Sequence, residues 1–88
     1  MLISFDPRKN AANMDKHGVS LTQARDIEWD TALVAADDRF DYGEPREYVI
    51  AYIGLRLYVV VYVDRDAVRR IISLRKANKR EIERYAEA

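Results

Sequence analysis

Apolar positions are densest between residues 47 and 75, and there they follow a period of two rather than 3.6. Residues 47–53 alternate, placing Tyr48, Ile50 and Tyr52 on one side and Val49, Ala51 and Ile53 on the other. Residues 57–63 are all β-branched, aromatic or Leu, which suits a largely buried central strand. Gly54-Leu55-Arg56 reads as the turn between these two strands and Asp64-Arg65-Asp66 as the next, after which the chain re-enters as a strand over residues 68–74. Three consecutive strands joined by short turns predict an antiparallel meander. Residues 32–36 are a further candidate strand, and residues 2–5 a short edge strand.

Helical signals flank this region. Asp6-Pro7 combines an N-cap side chain with a proline at the first helical position, predicting a helix to about Lys16 with Ala11, Ala12 and Met14 inward and Gly18 as its left-handed exit. Ser20 with Gln23 forms a capping-box pattern, and Leu21, Ala24 and Ile27 recur at helical spacing, so a second helix is expected to stop near Trp29-Asp30. Asn78 with Glu81 repeats the cap pairing for a last helix carrying a narrow apolar stripe of Ile82, Tyr85 and Ala86. Residues 37–46 are polar, with Gly43 and Pro45 marking a loop. The predicted fold is therefore a single α+β domain over residues 1–88: a small antiparallel sheet of three to four strands, two N-terminal helices and one C-terminal helix.

Length and composition narrow the class. At 88 residues the chain covers one modest core, and with no cysteine it has neither disulfides nor zinc-thiolate sites to reinforce it. No apolar run approaches the roughly 20 residues of a membrane span, and the N-terminal stretch lacks the features of a signal or transit peptide, so a cytoplasmic location is expected. Net charge is zero, but residues 1–50 carry six Lys/Arg against ten Asp/Glu and residues 51–88 nine against five, giving −4 and +4. Between Arg69 and Arg80 lie six basic residues (Arg69, Arg70, Arg75, Lys76, Lys79, Arg80) and no acidic one, a window where a polyanion could dock. The opposite halves could equally neutralise each other in the fold.

Strand alternation divides residues 68–75 into Val68, Arg70, Ile72 and Leu74 against Arg69, Ile71, Ser73 and Arg75. If the more apolar set faces the helices, Arg69, Ser73 and Arg75 share the open face. Tyr48, Tyr52, Tyr58 and Tyr62 could join them there as base-stacking surfaces, or pack in the core with hydroxyls at the rim. His17, the lone histidine, could be a general base, a general acid, or a cation answering a helix C-terminus. Asp37, Asp38, Asp41 and Glu44 cluster in the loop but lack calcium-loop spacing and a neighbouring histidine, so no metal site and no cofactor is expected. Arg75, just beyond the last apolar strand residue, could reach a phosphate as a bidentate fork, and as a surface cation would be dispensable for folding.

The series KHGVS (Lys16 to Ser20), DDR followed by YGE and Arg (Asp37 to Arg39, Tyr42 to Glu44, Arg46) and RIISLRKANKRE (Arg70 to Glu81) with Tyr85 resembles the BrnT-type toxins of type II toxin-antitoxin pairs. The resemblance spans nearly the whole chain, and the RIIS-x-RKA run is its most specific part. It implies a RelE-like fold, a ribonuclease that arrests translation, and a cognate BrnA-type antitoxin whose DNA-binding domain brings the complex to its operator. It points to His17, Arg70, Ser73, Arg75, Lys76, Glu81 and Tyr85 as catalytic-site positions, without dividing roles among them. Arg69, Lys79 and Arg80 are the expected additional RNA contacts. Leu74 departs from the family run, where a small residue is expected, and would narrow the site. Metal-free RNA cleavage by 2′-hydroxyl attack needs a base, an acid and cations, for which His17, then Tyr85 or Glu81, and Arg75 with Lys76 are candidates, Ser73 orienting a phosphate oxygen. A non-catalytic RNA- or protein-binding module using the basic strand is the alternative. A DNA-binding repressor fits less well, because no helix-turn-helix pattern appears.

Overall fold

The computed structural model describes residues 1–36 and 46–88. The expected loop carboxylates Asp37, Asp38, Asp41 and Glu44, with Arg39, Tyr42, Gly43 and Pro45, lie outside the described residues. Five strands, β1 (Leu2–Ser4), β2 (Leu33–Ala36), β3 (Glu47–Ile53), β4 (Arg56–Arg65) and β5 (Val68–Lys76), form one sheet in the order β1-β5-β4-β3-β2. β2 through β5 pair antiparallel as a meander, whereas β1 joins β5 in parallel. The sheet is thus mixed and five-stranded, not an antiparallel set of three to four. The apolar run 57–63 occupies its central strand.

The β3–β4 and β4–β5 hairpins each close with two residues. Gly54, at φ +60°, is the first residue of the β3–β4 turn, and Ile53 pairs directly with Arg56. The second turn falls at Asp66-Ala67, beyond the expected Asp64-Arg65-Asp66, because Arg65 still pairs with Val68 and Asp64 with Arg69. Asp66 and Ala67 both take positive φ (51° and 64°), as a type I′ turn matched to strand twist requires.

Helix α1 (Pro7–His17) begins at Asp6, whose carboxylate accepts the Arg8 N–H at 2.8 Å, and ends at Gly18, at φ +68°. Its inward residue is Asn13, and Ala11, Ala12 and Met14 are exposed, contrary to the apolar pattern. The reason is that α1 lies along the edge of β5 beyond the end of β1, where backbone groups and not apolar side chains need covering. The Asn13 amide accepts the Leu74 N–H (3.1 Å) and donates to the Leu74 and Val19 carbonyls (2.7 and 2.8 Å), substituting for the missing strand.

The Ser20 capping box forms, but it opens a 3₁₀ helix, Leu21–Asp26, succeeded by a short 3₁₀ turn, Trp29–Thr31. A continuous second helix is prevented by β3: Ile27 bridges Ile53, and the Glu28 N–H donates to the Tyr52 carbonyl at 2.9 Å. This segment still supplies one side of the main core, Val19, Leu21, Ala24 and Ile27 packing on Val49, Ala51, Val60, Tyr62, Ile71 and Leu74.

On the opposite face a smaller core of Ile50, Leu57 and Val59 is joined by Tyr48, Tyr52, Leu33, Ala77 and Tyr85. Tyr85 belongs to α2 (Lys79–Glu87), which starts at the Asn78–Glu81 capping box. Of the expected α2 stripe only Tyr85 is partly buried; Ile82 and Ala86 are exposed, and Glu81 is the buried residue. The four strand tyrosines also divide, Tyr48 and Tyr52 on the α2 face, Tyr58 and Tyr62 on the main-core face.

Candidate active site

A β-bulge in β5 sets the geometry of the site. Val61 pairs with Ser73 and Tyr62 with Ile71, leaving Ile72 as an extra residue. The bulge breaks strict alternation: Ile71 and Leu74 both enter the main core, and Ile72 and Ser73, consecutive in sequence, both face a cleft beside α1. This shallow cleft, of about 190 Å³, is lined by Lys9, Ala12, Asn13, Lys16 and His17 from α1 and by Ile72 and Ser73 from β5. Leu74 is fully buried and does not line it, so the departure from the family run does not narrow this opening.

His17, partly buried at the end of α1, lines the cleft. Burial first, then repulsion from Lys16 and Arg75, pushes its pKa below the ordinary 6.5. The imidazole is therefore mainly neutral at pH 7, the form that accepts a proton, rather than a cation on the helix dipole.

Arg75 follows on the α2 face of β5. Its Nη1 donates to Glu81 Oε1 at 2.8 Å and to the Lys76 carbonyl at 3.4 Å; its Nη2 donates to Glu81 Oε2 at 2.8 Å and to the Tyr48 hydroxyl at 3.0 Å. Tyr48 in turn donates to Glu81 Oε2. All four terminal N–H groups are thus engaged, and the fork expected to meet a phosphate meets a carboxylate instead. Glu81 also accepts the Asn78 N–H at 2.9 Å and is only 8% exposed. Arg75, more than burial can oppose, holds the Glu81 carboxyl at a pKa of about 2. Burial and the bond to Glu81 push the Tyr48 hydroxyl up, so it remains a donor.

The remaining expected residues are dispersed. Tyr85 donates its hydroxyl to the Thr31 carbonyl at 2.9 Å and meets Tyr52 edge-on, with centroids 5.4 Å apart. Arg69 is clamped on Asp64 (Nε–Oδ1 2.7 Å, Nη2–Oδ2 2.8 Å), its guanidinium 4.5 Å from the Trp29 ring centroid and 4.1 Å from that of Tyr62. Arg70 is exposed beside Ser4, Val63 and Val68 in a different hollow. Lys76, Lys79 and Arg80 are exposed where β5 hands over to α2. Among the described residues no three His, Asp or Glu side chains gather as a metal site.

Residues 5–81 match the family model for "Ribonuclease toxin, BrnT, of type II toxin-antitoxin system". The chain belongs to the BrnT ribonuclease toxin family. Among solved structures it is similar to the Brucella abortus ribonuclease toxin BrnT, with a TM-score of 0.71 and 23% identity over 90% of this chain and 99% of that one. At that identity the likeness concerns the fold, an α+β arrangement with a five-stranded mixed sheet. No curated protein matches.

Within this BrnT-family site, sequence reasoning overlooked Lys9, Asn13 and the bond from Tyr48 to Glu81. The spacing Lys9, Ala12, Asn13, Lys16, His17, a single helical stripe, was the available signal for the cleft wall. Nothing local marks Tyr48, which reaches Glu81 only because β3, β5 and α2 converge.

Proposed function

We propose that this BrnT-family chain is a metal-independent endoribonuclease, acting in the cytoplasm to inhibit translation and neutralised by a BrnA-type antitoxin that carries the operator-binding domain. The observation that carries the catalytic reading is the meeting of His17 with Ser73 in one cation-lined cleft. The ribose 2′-oxygen attacks the adjacent phosphorus and the bond to the 5′-oxygen breaks, leaving a 2′,3′-cyclic phosphate and a 5′-hydroxyl. Neutral His17 takes the 2′-hydroxyl proton and then returns it to the leaving 5′-oxygen. Ser73 donates to a non-bridging oxygen. Glu81, ionised down to about pH 2, has no proton to give at neutral pH, and the Tyr85 hydroxyl is engaged with Thr31, so neither replaces His17 as the acid. Arg75 contributes a fixed positive field beside the cleft and fastens α2 to the sheet, while Arg70, Lys76, Lys79 and Arg80 attract the polyanion. Arg69 is clamped on Asp64 at the far end of β5, where the pair is neutral.

The test is incubation of the purified protein with RNA in EDTA. Cleavage to products ending in 2′,3′-cyclic phosphate is expected, with loss of at least about a hundredfold in His17→Ala. Activity abolished by EDTA and restored by magnesium would refute the metal-independent route, and RNA binding without cleavage would leave a binding module.

A further inference from the structure

We propose that the cleft between α1 and the β5 bulge is a phosphodiester subsite in which Lys9 and Lys16 hold one backbone phosphate of the RNA beside His17 and Ser73. This rests on the ribonuclease reading and assigns the cations that it requires. Lys9, Ala12, Asn13, Lys16 and His17 stand at i, i+3, i+4, i+7 and i+8 and share one face of α1, the face turned toward β5. The two ammonium groups can converge because the position between them is only a methyl, Ala12. Asn13 closes the floor with its amide fixed on Leu74 and Val19. The opposite wall is Ile72 and Ser73, turned to the same side by the bulge. Among the described residues no carboxylate lines the space.

Size and alternatives favour the same ligand. At about 190 Å³ the cleft is smaller than the roughly 300–1,000 Å³ of sites that enclose a small organic ligand, and being shallow and open it can seat a charged group carried on a chain. Two of the arginines that sequence would nominate are engaged, the Arg75 fork with Glu81 and Tyr48 and Arg69 with Asp64, and the exposed Arg70 and Arg80 do not line this cleft. Lys9 and Lys16 are exposed and line the cleft directly. Lys16 also acts on His17, since its charge is among the causes that keep the imidazole deprotonated.

A 2′-O-methyl oligoribonucleotide, which lacks the attacking hydroxyl, tests the subsite independently of catalysis. Binding is measured against salt for wild type, Lys9→Gln, Lys16→Gln and the control Arg84→Gln on α2, with thermal midpoints alongside. Each cleft variant is expected to weaken binding about tenfold at low salt and to lower the slope of log K against log salt, the two substitutions together by about 0.7, the loss of one single-strand phosphate contact. Arg84→Gln is expected to change neither. On cleavable RNA, Lys16→Gln moves the acid limb of the pH-rate profile upward and Lys9→Gln leaves it in place. Wild-type affinity and slope in both cleft variants would overturn the subsite, as would an equal loss in Arg84→Gln, which signals a diffuse basic coat. Normal binding losses with no RNA cleavage by wild type would instead refute the ribonuclease reading and leave the subsite standing.

Discussion

At Arg75, Glu81 takes the guanidinium fork. Removing Arg75 strands a carboxylate that is only 8% exposed, whereas a surface cation would be dispensable within about 0.5 kcal/mol. Breaking a buried pair typically costs about 3–5 kcal/mol, and the partial exposure of Arg75, 31% of its side chain, lowers that to about 2 kcal/mol. Arg75→Ala is thus expected to lose stability as well as cleavage, and an Arg75→Ala/Glu81→Ala cycle to give a coupling of about 1–2 kcal/mol in urea titrations; additive losses would show that the pair is inert. Folding depresses the Glu81 pKa, so its contribution is complete above about pH 4.5 and is lost as pH falls toward about 2. Wild type should therefore destabilise across that window and Glu81→Gln should not show that step. The Asn78–Glu81 cap was legible because capping is local; the cation that Glu81 also binds was not, because it depends on where β5 ends relative to α2. With His17 as the proposed base, burial and two nearby cations, which lower its pKa, are expected to put the acid limb of kcat/KM below pH 6.5. A limb above that value would mean that another group titrates.

Among the elements, α1 shows how a correct helix can carry an incorrect face. Its caps are local signals, and both are realised, but apolar periodicity nominates the buried side only when a helix packs on side chains. Here it packs on a strand edge, and one amide serves three backbone groups. Asn13→Ala leaves those groups unpartnered in a buried setting and is expected to cost about 2–4 kcal/mol, read as a drop of about 10 °C or more in thermal midpoint; a smaller drop would mean that water replaces the amide. Period-two patterning located β3, β4 and β5, yet could not reveal the extra residue Ile72, since a bulge leaves no gap in an apolar run. It therefore misassigned the partners of Ser73. The β4–β5 turn is a further element-level case: Ala67 holds a left-handed conformation that costs an L-residue about 1 kcal/mol. Ala67→Gly is expected to raise stability by about that amount without altering cleavage, and a loss of stability would show that the Ala67 methyl packs favourably.

For the molecule as a whole, the division of charge along the chain is not the division of charge in space. Within the basic C-terminal half, Arg69 and Arg75 are answered by Asp64 and Glu81, whereas Lys9 and Lys16 come from the acidic half. The cationic surface is assembled by the fold from α1, the end of β5 and the first turn of α2. Two populations of charge result, and ionic strength should separate them. The exposed cations proposed to meet RNA are screened within a Debye length of about 10 Å at 0.1 M salt, while the Arg75–Glu81 pair, bidentate and largely buried, is screened much less. Raising salt from about 0.05 to 0.5 M is therefore expected to raise KM for RNA at least tenfold, with kcat nearly constant and the thermal midpoint moving by only a few degrees. A fall in kcat matching the rise in KM would place screened charges at the transition state itself. A midpoint that collapses alongside binding would mean that the fold, and not only the docking of RNA, is held by exposed charge.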